Sequence, residues 1–297
     1  MTTKAGFIAI LGQPNAGKST LINRLVGTKV SIVSPKVQTT RRRVLGITVV
    51  DASQLIFVDT PGVFTPKKPL EKAMVKAAWE SLQDADLIVV IVDAASKARQ
   101  DAETILKALA PKQKRLILCL NKIDLIDKTR LLALASQLNE LAPIEKTFMI
   151  SALKKKGIQD LLQYCAQEVP ENPWFFPEDQ LSDLPSKLFA AEITREHIFR
   201  QLHQEIPYSL TVETEAWEQF KNGSLKISQV IVVERENQRA IVLGKQGQKI
   251  KSIGESARKE LSFIFDTKVH LILHVKVDPK WLQQPERYRL MGLTLEP

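Results

Sequence analysis

The chain of 297 residues holds two cysteines and four histidines. Two thiols are too few for a disulfide framework. Cys119 falls in an expected strand and Cys165 in an expected helix, so both read as buried thiols of a reducing, cytosolic compartment. The histidines show no metal-ligand spacing, which excludes a His/Cys zinc centre. No run approaches the roughly 18 consecutive apolar residues of a spanning helix, and the N-terminus lacks a signal-peptide pattern. There is no internal repeat and no low-complexity tract. What is present suffices for two domains: 44% hydrophobic residues over this length. The net charge is +9, which favours an anionic partner, nucleic acid or an acidic membrane surface. Residues 181–297 hold 17 Lys+Arg against 15 Asp+Glu, and the first 180 hold 25 against 18. Bulk charge therefore does not mark the C-terminal half as a nucleic-acid site; a local cluster must.

The most informative stretch is Gly12-Gln13-Pro14-Asn15-Ala16-Gly17-Lys18-Ser19, between the apolar run Phe7–Leu11 and the helical pattern Leu21–Leu25. This is the phosphate-loop spacing in its strand-to-helix setting. Gly12 and Gly17 permit the tight turn that aims backbone N–H groups at phosphate oxygens, and the helix N-terminus adds its positive end. Lys18 is expected on the β and γ phosphates and Ser19 on Mg²⁺, with Thr20 next on the same turn. The run Leu55–Val58 ends in Asp59-Thr60-Pro61-Gly62. Asp59 is placed to hold Mg²⁺ through water, and the N–H of Gly62 to meet a γ-phosphate.

The base is expected to be guanine. The strand Arg115–Leu120 ends in Asn121-Lys122-Ile123-Asp124. The Asp124 carboxylate matches guanine's ring N–H and exocyclic amine. Adenine lacks that donor pair and would leave a buried carboxylate unpaired, at a cost of about 1–3 kcal/mol or more. The Lys122 stem can cover the base, and Asn121 can brace neighbouring loops. A last strand, Lys146–Ile150, leads into Ser151-Ala152-Leu153, suited to a backbone contact with the guanine oxygen.

Residues 1–168 alternate strands (near 6–11, 43–50, 54–59, 87–92, 115–120 and 146–150) with helices beginning near Lys18, Pro69, Asp101, Lys128 and Gly157. That pattern predicts an α/β domain: a mostly parallel sheet with helices on both faces and the motifs at the strand carboxyl ends. Residues 169–185, rich in proline and aromatics, read as a semi-rigid connector with Trp174 and Phe175 packed on a domain. Residues 186–297 read as an α+β domain: a helix over 188–202, strands over 208–215 and 225–234, a helix over 255–265 and a strand over 268–277. Between the second strand and the second helix lies Gly244-Lys245-Gln246-Gly247, followed by Lys249 and Lys251. A G-x-x-G loop flanked by apolar and basic residues marks a KH module, which clamps the backbone of a short single strand. The helix and strands that precede the loop match the prokaryotic, type II form.

The nucleotide motifs resemble those of translation-factor-like GTPases. Their switch-one threonine has its match in Gln38-Thr39-Thr40-Arg41-Arg42; Thr40 is preferred as the Mg²⁺ ligand, with Thr39 the alternative. Where Ras-type proteins carry a water-orienting glutamine, this chain has Val63, so slow intrinsic hydrolysis is expected. Asn15 matches an asparagine that binds K⁺ in some relatives with this substitution, making K⁺ a candidate second cofactor. As a whole, the chain resembles the Era family of bacterial GTPases, through these motifs, the stretch Asn172-Pro173-Trp174 to Pro177-Glu178-Asp179-Gln180, and Gly244–Lys251. The resemblance implies a monomeric, GTP-hydrolysing switch that binds GTP and GDP. It implies binding to 16S ribosomal RNA near its 3′ end, and a role in rRNA processing and 30S subunit biogenesis. It also implies a loose, peripheral place on the inner face of the cell membrane. A membrane-associated signalling GTPase linked to cell-cycle control is the alternative, motivated by the basic stretch Lys67–Lys76. A tRNA-modification GTPase is disfavoured by the KH loop and the lack of a C-terminal cysteine. Arg41, Arg42 and Arg43, beside switch one, could favour RNA as well as solvent, with a solvated face preferred. Trp281, Tyr288 and Arg289 could contact RNA, with packing the preferred role for the two aromatics.

Overall fold

The structure is a computed structural model that describes residues 2–36, 39–96, 99–202 and 206–294. The chain forms two compact units, one made of 1–33, 40–183 and 291–297, the other of 34–39 and 184–290.

The first unit carries a six-stranded sheet of β1 (Lys4–Leu11), β2 (Val44–Val50), β3 (Ser53–Asp59), β4 (Leu87–Asp93), β5 (Leu116–Asn121) and β6 (Ile144–Met149), in the order β2-β3-β1-β4-β5-β6. All neighbours are parallel except β2 and β3, which form an antiparallel edge hairpin. The central strands are continuous apolar runs because both faces are covered. In β1, Ile8 and Ile10 face one core with α1 (Lys18–Val26) and α5 (Ile158–Glu168). Ala9 and Leu11 face the other, with α2 (Pro69–Glu80), α3 (Gln100–Leu109) and α4 (Lys128–Asn139). This is the period-two alternation of a strand dividing two layers. The chain leaves β1 towards β3 on one side and later returns as β4 on the other. That reversal opens a crevice at the carboxyl ends, where ligands bind in such sheets.

The connector docks on this unit. The buried Gln54 side chain accepts from the N–H groups of Phe175 and Phe176 (2.9 and 3.0 Å) and donates to the Phe176 carbonyl (2.7 Å). Trp174 donates to the Ala52 carbonyl, and the Phe175 ring lies 5.2 Å from that of Phe7. Further on, Ile47 N–H donates to the Leu181 carbonyl and Leu45 N–H to Asp183. The outer edge of β2, which would otherwise present unpaired backbone groups, is thereby covered.

The second unit runs α6 (Ser186–Gln201), β7 (Leu210–Gln219), β8 (Leu225–Val233), α7 (Glu236–Leu243), α8 (Gln248–Ile264), β9 (Val269–Val277) and α9 (Pro285–Leu290). Its sheet has the order β7-β8-β9, antiparallel then parallel, and its core joins α6 and the sheet to Val242 and Ile253. The sequence reading missed α7 and began α8 seven residues late. Gln238 caps α7, its Oε1 accepting from the N–H groups of Glu234 and Arg235. Trp281 and Tyr288 are buried, which fits packing rather than stacking on RNA. Arg41 is 2% exposed while Arg43 is exposed, so the three arginines do not form one solvated face.

Candidate functional site

The phosphate-loop residues gather at the end of β1. Gly12 is required by close approach: a Cβ there would lie 2.4 Å from the Ile91 carbonyl oxygen. Gly17 caps α1 with φ 104°, and Asn15 is exposed at φ 63°. Both are left-handed conformations, the second tolerated by asparagine. Lys18 is buried and donates to the carbonyls of Gly12 and Gln13, both at 3.1 Å. Burial lowers its pKa to about 8, opposed by the nearby Asp59 charge. Gln13, Ala16 and Leu11 are likewise buried, and Pro14 lies against Gly62, where a Cβ would meet Pro14 Cγ at 3.0 Å.

Hydroxyls converge on Asp59. Its Oδ2 accepts from Ser19 (2.8 Å), Ser31 (2.5 Å) and Thr40 (3.3 Å), and the Ser19 and Thr40 hydroxyls lie 2.9 Å apart. Asp59 Oδ1 is buried without a hydrogen-bond partner. Burial pushes the carboxyl pKa up, while the Ser31 hydrogen bond, Lys18, Ser19 and Thr40 pull it down. One carboxylate among hydroxyls, with an orphaned oxygen, fits Mg²⁺, which keeps several waters and completes its shell with substrate phosphates. Thr39 points elsewhere, donating to the carbonyl of Lys36 at 2.6 Å; Gln38 lies outside the described residues. Thr60 is buried and donates to the Ile10 carbonyl at 2.7 Å. Val63 donates its N–H to the Gly12 carbonyl, and its side chain joins the hydrophobic core.

At the end of β5, Asn121 links three loops. Its Nδ2 donates to the Ala16 carbonyl (2.8 Å) and its Oδ1 accepts from Ala152 N–H (3.0 Å). Ser151 and Ala152 are buried and Leu153 is exposed. Asp124 departs from the expectation: it is exposed, because it follows the end of β5 on a short 3₁₀ turn. Its pKa is held down, chiefly by a hydrogen bond with Ser151. The protein does not bury this carboxylate, so its desolvation requires the base itself. Ser31 carries no motif and was not legible; its partner Asp59 is 28 residues away.

In the second unit, Gly244, Lys245, Gln246 and Gly247 link α7 to α8. Gly244 has φ 71°, and a Cβ there would lie 2.5 Å from Lys249 Cβ. Gly247 has φ 75° and caps α8, with open space around it. Lys245, Gln246, Lys249 and Lys251 are exposed. The lysines and the helix N-terminus thus bring positive charge to one loop, as backbone phosphates require.

Comparison with known proteins identifies a GTPase domain and a KH domain in this chain. A family described as 50S ribosome-binding GTPase matches residues 7–122, and the KH domain family matches residues 205–282. GTPase Era of Brucella suis biovar 1 (strain 1330) is 54% identical over 291 residues, 98% of this chain and 94% of the relative. GTPase Era of Agrobacterium fabrum is 52% identical over 99% of this chain and 92% of its own length. Among solved structures, Era in complex with MgGDPNP and nucleotides 1506–1542 of 16S ribosomal RNA superposes with a TM-score of 0.92 at 42% identity, covering 98% of this chain and 99% of that one. A variant of Aquifex aeolicus Era bound to GDP·AlF4⁻ gives 0.91 at 41% identity, with the same coverage. With a GTPase domain and a KH domain in one chain, and relatives this similar over nearly its whole length, this chain belongs to the GTPase Era family.

Proposed function

We propose that this GTPase is a nucleotide-controlled RNA-binding protein that assists 30S ribosomal subunit biogenesis, holding single-stranded 16S ribosomal RNA near its 3′ end through its KH loop. The observation that carries this reading is the likeness, over 98% of the chain, to an Era captured with both MgGDPNP and a 16S fragment. The large-subunit description of the matching GTPase family covers residues 7–122 alone and so says nothing of the KH half.

In this reading Lys18 meets the β and γ phosphates, whose charge favours the ammonium form that burial disfavours. Ser19 and Thr40 ligate Mg²⁺, Asp59 holds one of its waters, and Gly62 donates its N–H to the γ-phosphate. The ion neutralises charge developing on the phosphates. Gln13–Thr20 cradle the phosphates, and Asn121, Lys122, Asp124 and Ser151–Leu153 hold the base. Val63 cannot orient the attacking water. Asn15, exposed at the loop tip, is assigned to K⁺, which would do electrostatic work that an arginine supplies elsewhere. GTPase rates measured in matched K⁺ and Na⁺ buffers are then expected to differ by about tenfold or more in favour of K⁺; equal rates would remove the K⁺ role.

Gly247, Lys249 and Lys251 hold phosphates of the RNA. Gly247→Asp places a negative charge there; the space is open, and the left-handed φ of 75° costs a non-glycine residue on the order of 1 kcal/mol, least for Asn and Asp, which leaves the fold intact. RNA affinity is expected to fall by about tenfold or more, with GTP hydrolysis unchanged. Full RNA affinity in that variant would put the RNA elsewhere. Membrane contact gains no support from α2, whose apolar residues Leu70, Ala73, Met74 and Ala78 are already buried in the protein. Among the described residues no helix is long and apolar enough to cross a membrane.

A further inference from the structure

We infer that Asp93 is a positioning residue for guanine binding, anchoring the Lys122 ammonium so that the aliphatic stem is ready to cover the base. The inference rests on the placement of the base at Asn121–Asp124. In the sheet, Asp93 at the end of β4 pairs in register with Asn121 at the end of β5, and the Ala94 N–H donates to the Asn121 carbonyl at 2.9 Å. Sheet order thus delivers a carboxylate to the guanine loop from 29 residues away.

The two oxygens of Asp93 do separate things. Oδ1 accepts from Ala95 N–H at 3.0 Å, closing a local turn. Oδ2 accepts from Lys122 Nζ at 2.6 Å. The side chains are 15% and 32% exposed respectively, so the pair is partly desolvated and stronger than a surface ion pair. Lys122 is held at φ 65°, which fixes where its side chain leaves the backbone. A free lysine side chain loses much rotamer freedom when it is immobilised by a ligand. Tethering its tip beforehand removes part of that cost at binding. A methylene stem lies on a ring face and does not read its edge. Asp93 therefore adds affinity for whichever base the loop accepts, and Asp124 makes the choice.

The test measures the affinities of GDP, IDP and XDP for the full-length protein and for Asp93→Asn, Lys122→Met, the double variant and Asp124→Asn. Asn at 93 keeps an oxygen for the Ala95 N–H and removes the ion pair. GDP and IDP are expected to weaken by the same factor in Asp93→Asn, about tenfold, with kcat at saturating GTP unchanged. Asp93→Asn should add nothing to Lys122→Met. Unchanged affinity in Asp93→Asn, or a further loss in the double variant, would overturn the inference. Asp124→Asn tests the underlying placement by itself: preference should move from GDP to XDP. If that ratio stays put, the base sits elsewhere and the placement fails; if it moves while Asp93→Asn is silent, only the role of Asp93 fails.

Discussion

Lys18, proposed to meet the phosphates, shows what a buried ammonium costs the free protein. Its ammonium is buried, its partners are two neutral carbonyls, and its pKa falls from 10.5 to about 8. The unfolded chain therefore binds more protons between pH 8 and 10.5, so stability rises with pH across that window. Each pKa unit corresponds to about 1.4 kcal/mol, which puts the penalty near pH 7 on the order of 3 kcal/mol. Nucleotide-free Lys18→Met should be more stable than the parent at pH 7 by an amount of that order, with the difference closing as pH approaches 10.5. Paired urea titrations at pH 7 and pH 10 check this, and a difference independent of pH would contradict it. At this scale the phosphate loop and Asn121–Asp124 were legible, because their residues are consecutive and their chemistry needs that order. Ser31 and Asp93 were not. Their partners lie 28 and 29 residues away, joined only by the fold.

Among the elements, the buried strands were legible because a strand covered on both faces must be apolar throughout. The helices around the KH loop were harder. α8 opens with Gln248, Lys249, Lys251 and Ser252 and contains Gly254, a polar start that hides its amphipathic face. Ile253, Ala257 and Leu261 are the buried positions, at the spacing of four that defines that face. Gly254 lies within this helix, and a Cβ there would meet Leu273 Cδ1 at 3.4 Å, an ordinary contact. Gly254→Ala is therefore expected to stabilise the protein by about 0.5–1 kcal/mol, through the lower helix propensity of glycine. A raised thermal midpoint with RNA affinity retained would bear this out, and a lowered midpoint would show a clash or a need for flexibility. The connector was legible as stiff and docked from Trp174 and Phe175. Its clasp by Gln54 and its cover over β2 were not, since a buried glutamine gives no signal of which backbone it will satisfy.

For the whole molecule, the central issue is how one chain joins a guanine-nucleotide switch to an RNA clamp. The net charge of +9 is spread so that the C-terminal part carries little of it, so the proposed RNA recognition falls to the local cluster of Lys245, Lys249 and Lys251. Nucleotide control then requires that GTP bind the RNA-competent form more tightly than the other form; by reciprocity, RNA must tighten GTP binding by the same factor. The most direct test is the affinity for an oligonucleotide from the 3′ end of 16S ribosomal RNA, measured first with GDP and then with a non-hydrolysable GTP analogue. Binding should tighten by about 5- to 150-fold with the analogue, the usual range for such coupling. Equal affinity in the two states would contradict the proposed coupling, and no binding in either would contradict the RNA-binding role itself.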